Sequence, residues 1–163
     1  MKMIAAVDKN WGIGKDNDLL DSIPEDMKFF RETTRQKAVI MGKNTFLSFP
    51  NQKPLPNRLN VVMTSDKSFS PDGVTVVDSI EKAIEAAKKE YSDEDIFVIG
   101  GAAVYKQMEP LCDCAYITKI ENEYDADRFF PNLDDMPGWK VVGEERVLTA
   151  KGFYIKFVTY TRG

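Results

Sequence analysis

The chain has 163 residues, 43% of them hydrophobic and 29% charged, the proportions of one folded globular domain rather than of a disordered segment. Its 22 Lys and Arg against 26 Asp and Glu give a net charge of −4, which argues against general binding to nucleic acid or to a membrane surface. Histidine is absent. That excludes Ser-His-Asp and Cys-His catalysis and histidine-ligated zinc, and leaves the chemistry to carboxylates, backbone groups, Lys, Arg, hydroxyls or a borrowed cofactor.

Met3 to Val7 reads as a buried strand. The run is too short for a signal-peptide core or a membrane span, so a soluble, cytoplasmic chain is expected. Lys9 to Asp21 is rich in Gly, Asn and Asp and reads as a flexible loop able to close over a ligand. Within it, Gly12-Ile13-Gly14 resembles part of a dinucleotide fingerprint, but Asn17 stands where the third glycine belongs. Ser22-Ile23-Pro24-Glu25 reads as a capping box opening a helix that runs to about Thr34.

Further strands are expected at Ala38–Met41, Leu59–Met63, Val74–Val77, Ile96–Ile99 and Ala115–Ile120. Ile80, Ala83, Ile84, Ala87 and Tyr91 form a helical stripe behind the candidate caps Asp78 and Ser79. Gly101 to about Glu109 is a helix stopped by Pro110. Cys112 and Cys114 form a C-x-C pair with no second pair and read as ordinary thiols. Trp139–Glu145 and Phe153–Tyr160 read as a closing antiparallel pair. The sum is a single α/β domain over residues 1–163. It has about eight strands in a mostly parallel sheet, about four flanking helices and an antiparallel C-terminal strand pair.

Four features could carry chemistry. Asp26 lies on the edge of the apolar stripe Ile23, Met27, Phe30. It is either a favourable charge at a helix start or a carboxyl of raised pKa in an apolar cleft, able to anchor a ligand and hold a proton. Gly42-Lys43-Asn44-Thr45 follows a strand directly, as does Gly100-Gly101-Ala102-Ala103-Val104-Tyr105. Each is either a plain strand-to-helix turn or an anion site built from free N–H groups, and two such turns favour a dinucleotide. Arg58 follows Pro54-Leu55-Pro56-Asn57. It is either a solvated surface residue or an arginine presented by a stiff loop for bidentate carboxylate recognition.

Taken together, these segments resemble dihydrofolate reductase over essentially the whole chain. The match is carried by Ile4-Ala5-Ala6, Trp11-Gly12-Ile13-Gly14, Ile23-Pro24-Glu25-Asp26-Met27-Lys28-Phe29-Phe30 and Val39-Ile40-Met41-Gly42-Lys43-Asn44-Thr45-Phe46. It continues through Pro54-Leu55-Pro56-Asn57-Arg58, Ile99 to Tyr105, Tyr116-Ile117-Thr118 and Asp127-Arg128-Phe129-Phe130-Pro131. The resemblance implies NADPH-dependent reduction of 7,8-dihydrofolate to tetrahydrofolate, in the service of one-carbon metabolism and nucleotide synthesis. Hydride goes to C6 and a proton to N5.

By position, the resemblance implies that Asp26 grips the pterin and promotes protonation, supported by Thr118, with Leu19 of the lid at the site. Ile4, Ala6, Met27, Phe30, Phe49, Leu55, Ile99 and Tyr105 would line the ring pocket, and Arg58 would clamp the glutamate carboxylate. Ala6, Ile13, Gly14, Gly42, Lys43, Asn44, Thr45, Thr64, Ser65, Ile99 and Gly100 to Tyr105 would contact NADPH, with Lys43, Thr64 and Ser65 at its 2′-phosphate. Antifolate inhibitors would bind the same pocket. No metal, nucleic acid or membrane partner is implied, and a monomer is expected. A cis Gly100–Gly101 bond is common in the family.

Two departures bear on this. Leu19-Leu20-Asp21 replaces the usual Leu-Pro-Trp; if Asp21 faced the cleft, its charge would raise the pKa of Asp26 further. Lys43 replaces a common Arg, which implies a weaker preference for NADPH because Lys lacks the planar fork. The competing readings are a non-catalytic, flavodoxin-like nucleotide-binding domain and a related reductase acting on a pyrimidine in flavin biosynthesis. Neither calls for both Asp26 on an apolar edge and Arg58 on a stiff loop.

Overall fold

The computed structural model describes residues 1–16 and 18–163. The apolar runs become strands β1 (Lys2–Val7), β4 (Ala38–Gly42), β5 (Leu59–Met63), β6 (Thr75–Val77), β7 (Ile96–Gly100) and β8 (Cys114–Ile120), with β10 (Trp139–Leu148) and β11 (Tyr154–Arg162) closing the chain. Their order is β10-β11-β8-β1-β7-β4-β5-β6. The pairs from β8 to β6 are parallel, and β11 alone runs against its neighbours β8 and β10.

Both faces are apolar because successive side chains of each strand go to opposite sides. Met3, Ile40, Val61, Val98 and Ile117 join one cluster; Ile4, Val39, Met41, Val62, Phe97 and Ile99 join another. Helices α3 (Ile80–Lys88) and α4 (Ala102–Met108) cover the first face through Ala83, Ala87, Val104 and Met108. Helices α1 (Pro24–Thr34) and α2 (Lys43–Leu47) cover the second through Phe29, Phe30 and Phe46. Ser79 caps α3, its Oγ accepting from Lys82 N.

Two local expectations are corrected. Ser22 does not cap α1. Burial of Ile23 against Ile120 and Ile155 draws that residue into the cap position, where no side chain caps the helix, and Ser22 Oγ donates to Met27 Sδ instead. The segment Lys9–Asp21, expected as a flexible loop, carries strands among its described residues. Among the described residues, β2 (Gly12–Lys15) pairs with both β3 (Asp18–Leu19) and β9 (Arg128–Phe129) in a small antiparallel sheet; Asn17 lies outside the described residues. Buried Asp8 anchors its base, accepting from the backbone N of Asn10, Gly12 and Tyr124. A Cβ on Gly12 would come 2.5 Å from Ala126 Cβ, so a side chain there would push this sheet off its support.

Candidate active site

The main sheet opens where β1 leaves β7. The two strands pair only at Lys2–Phe97 and Met3–Val98, and the β4–β7 ladder slips where Met41 meets Gly100. A cavity of about 630 Å³ forms there, at the carboxyl ends of the strands, where open α/β sheets place their ligands. Freed from β7, the Ile4 carbonyl accepts a buried 2.6 Å hydrogen bond from Tyr105 Oη.

The cavity gathers nearly every residue expected to hold a dinucleotide: Ala6, Ile13, Gly14, Gly42 to Thr45, Thr64 and Ile99 to Tyr105. Leu19, 65% exposed, lies on its rim from the small sheet. Ser65 does not line it and is exposed. Gly42 and Gly101 stand at the caps of α2 and α4 with no side-chain acceptor. First-turn N–H groups therefore remain for a ligand. The Gly100–Gly101 peptide is cis, and Gly100 has φ +129°. A Cβ there would lie 3.3 Å from Thr45 Oγ1, so the backbone approaches the cavity only as glycine. Lys43 is not a free cation: its Nζ is 2.7 Å from Asp66 Oδ2 and 5.5 Å from the Phe69 ring centroid.

Asp26 lies on α1, a helix packed on the second face of the sheet. Burial raises its carboxyl above the usual Asp value, and the hydroxyl of buried Thr118 on β8 pulls it partway back. Burial, with the Asp26 charge behind it, also raises the Tyr105 phenol. Tyr105 lines the cavity, whereas Asp26 and Thr118 do not. Of the apolar residues expected to line the ring pocket, Ile4, Ile99, Phe30, Phe49 and Leu55 share one cluster, whereas Ala6 packs with Ile23, Ile120 and Ile155, and Tyr105 belongs to the core of the other face. Met27 is exposed, one residue on from Asp26. A carboxyl of high proton affinity in such walls can pair with a flat heterocycle bearing N–H donors and can hold a proton for it.

Arg58 is pinned rather than solvated. Its Nε donates to Thr34 Oγ1 at 2.8 Å, one terminal nitrogen to Pro56 O at 2.7 Å, and the other to Arg31 O at 2.9 Å. Of five guanidinium N–H groups, one remains on each terminal nitrogen. Burial and the neighbouring Arg35 and Arg31 charges lower its pKa, so this corner is short of negative charge and suits a carboxylate ligand.

Asp21 does not face Asp26. Its carboxylate accepts from Tyr124 Oη at 2.7 Å, from Ser22 N at 2.7 Å and from Lys151 Nζ. These donors lower its own pKa, whereas the raised value at Asp26 comes from burial. The residues that sequence reasoning passed over are the supports. Asn60, 1% exposed, accepts from Leu55 N at 3.0 Å and donates to Leu55 O at 2.9 Å and Arg58 O at 3.2 Å. A lone Asn in the apolar run Leu59–Met63 was the available signal, since a buried amide needs partners. Thr34 gave no such signal, because its hydroxyl meets Arg58 only through the tertiary fold.

A dihydrofolate reductase family model matches residues 1–162. The chain is 40% identical to dihydrofolate reductase of Bacillus subtilis over 146 residues, covering 90% of this chain and 83% of the relative. It is 36% identical to the Staphylococcus haemolyticus enzyme of the same name, covering 90% and 84%. The structure superposes on Enterococcus faecalis dihydrofolate reductase complexed with NADP(H) and RAB-propyl with a TM-score of 0.88 and 34% identity, covering 99% of this chain and 95% of that one.

Proposed function

The chain belongs to the dihydrofolate reductase family, and from that premise we infer that its cavity seats NADPH against a dihydropterin held by Asp26. It is an NADPH-dependent oxidoreductase that reduces dihydrofolate to tetrahydrofolate. The observation that carries the residue assignment is the wall shared by the cavity and the apolar cluster: Tyr105, which lines the cavity, donates to the carbonyl of Ile4 at 2.6 Å, and Ile4 packs in one cluster with Phe30, Phe49 and Leu55.

Bound in the cavity, NADPH would supply the hydride for pterin C6. The glycine turns at Gly42 and Gly100–Gly101 would let backbone N–H groups approach its phosphates, and Lys43 and Thr64 would hold the 2′-phosphate. Ala6, Ile13 and Ile99, which line the cavity, would wall the nicotinamide, and Leu19 on its rim would cover it. Asp26 accepts from the pterin's amino and ring N–H groups, and its high proton affinity favours protonation at N5. Thr118 orients the Asp26 carboxyl. Ile4, Phe30, Phe49 and Leu55 exclude water from the reacting ring, and the two open N–H groups of Arg58 take the glutamate carboxylate.

The unit is one catalytic domain over residues 1–163, acting as a monomer in the cytoplasm on small molecules; antifolates occupy the pterin site. No helix among the described residues is long and apolar enough to cross a membrane. The test is the loss of NADPH absorbance on adding dihydrofolate, with methotrexate as competitor. NADPH binding without turnover would instead favour a non-catalytic nucleotide module.

A further inference from the structure

Among the described residues three cations line the cavity, and each faces a carboxylate: Lys15 meets Asp125, Arg128 stands 3.7 Å from Asp127, and Lys43 meets Asp66 at 2.7 Å. The third pair matters most, because Lys43 is the cation assigned to the 2′-phosphate. The inference below rests on that assignment.

Asp66 is not a passing neighbour. Its Oδ1 accepts from Ser68 N at 2.9 Å and from Ser68 Oγ at 2.6 Å, while Oδ2 takes Lys43. Its own N donates to Thr64 Oγ1 at 3.1 Å, which ties it to a cavity-lining residue. A carboxylate held from both oxygens cannot swing away without losing these donors. Lys43 and Ser68 hold its carboxyl at about 2, so it stays charged wherever the enzyme works.

We propose that Asp66 is a cofactor-specificity residue: by occupying Lys43 beside Thr64 of the cavity wall, it narrows the enzyme's preference for NADPH over NADH. A phosphate dianion arriving at Lys43 shares it with a fixed carboxylate and is repelled by that carboxylate. A ribose 2′-hydroxyl meets no repulsion and offers the carboxylate a hydrogen-bond donor, the arrangement by which acidic residues accept NAD. The reaction is unchanged, with NADH supplying the same hydride.

The experiment measures dissociation constants of NADPH and NADH by quenching of protein fluorescence, in wild type, Asp66→Asn and Asp66→Ser. Asn keeps an acceptor for Ser68 and Ser is small, so a fold defect in one variant does not silence the other; a thermal melt checks both. Neutralising Asp66 should raise the affinity ratio for NADPH over NADH roughly three- to tenfold, the scale of one partly exposed charge contact. It should also steepen the salt dependence of NADPH binding. A ratio that stays level or falls in a folded variant overturns the proposal while leaving the reductase assignment intact. Wild-type protein that binds neither dinucleotide overturns both.

Discussion

Tyr124 Oη donates to Asp21 Oδ2 at 2.7 Å, and that bond turns the acid which replaces the family's tryptophan away from Asp26. Lys151, in the turn between β10 and β11, holds the other oxygen. The same turn donates Ala150 N to Glu25 Oε2 at 2.9 Å, so it grips α1 in its first turn and the segment leading into it at Asp21.

Asp21→Asn should therefore leave the acid limb of the pH–rate profile where it is, because the charge removed does not reach Asp26. It should cost about 1 kcal/mol of stability through the weakened Lys151 and Tyr124 contacts. A profile displaced along the pH axis would show that the two carboxylates are coupled after all.

Asp26→Asn should slow hydride transfer at pH 7 by about 10²- to 10⁴-fold, the range for removing a positioned proton donor. Single-turnover rates should recover at low pH, where substrate arrives protonated, and NADPH affinity should change little. Wild-type rates at neutral pH would contradict the role.

The same substitution should stabilise the ligand-free protein. Burial raises the Asp26 carboxyl, so the native state binds its proton more tightly than the unfolded chain does. Stability then falls as pH rises from the ordinary Asp value through the folded one. Melting curves should place Asp26→Asn above wild type at neutral pH, with the gap closing by about pH 3, below the ordinary Asp value.

Arg58→Leu should weaken folate binding by a few kcal/mol, the cost of losing a desolvated charge-assisted pair. A dihydropterin lacking the glutamate tail should bind both proteins alike. Equal loss for the two ligands would mean that Arg58 acts by holding α1 through Thr34.

Asn60→Leu should destabilise the protein by about 2–4 kcal/mol, because Leu55 N, Leu55 O and Arg58 O lose their partner in a buried setting. Urea unfolding reads this directly. A loss near zero would show that water replaces the amide.

The unbroken apolar runs Ala38–Met41 and Ile96–Ile99 pointed to strands buried on both faces, because a strand's period of two sends consecutive side chains to opposite sides of the sheet. The glycine turns after them and the helix carrying Asp26 were legible too, although Met27 of that helix's expected apolar stripe is exposed. Side-chain partnerships were a different matter. Asp21 meets Tyr124 across 103 residues, Arg58 meets Thr34 across 24, and Lys43 meets Asp66 across 23. A charged side chain at a surface or a cleft edge has several orientations of nearly equal energy, and which one wins depends on donors and acceptors that only folding brings within 3 Å. Periodicity therefore laid out the scaffold and the candidate residues, while packing of distant segments decided which charges stand open to a ligand and which are already engaged.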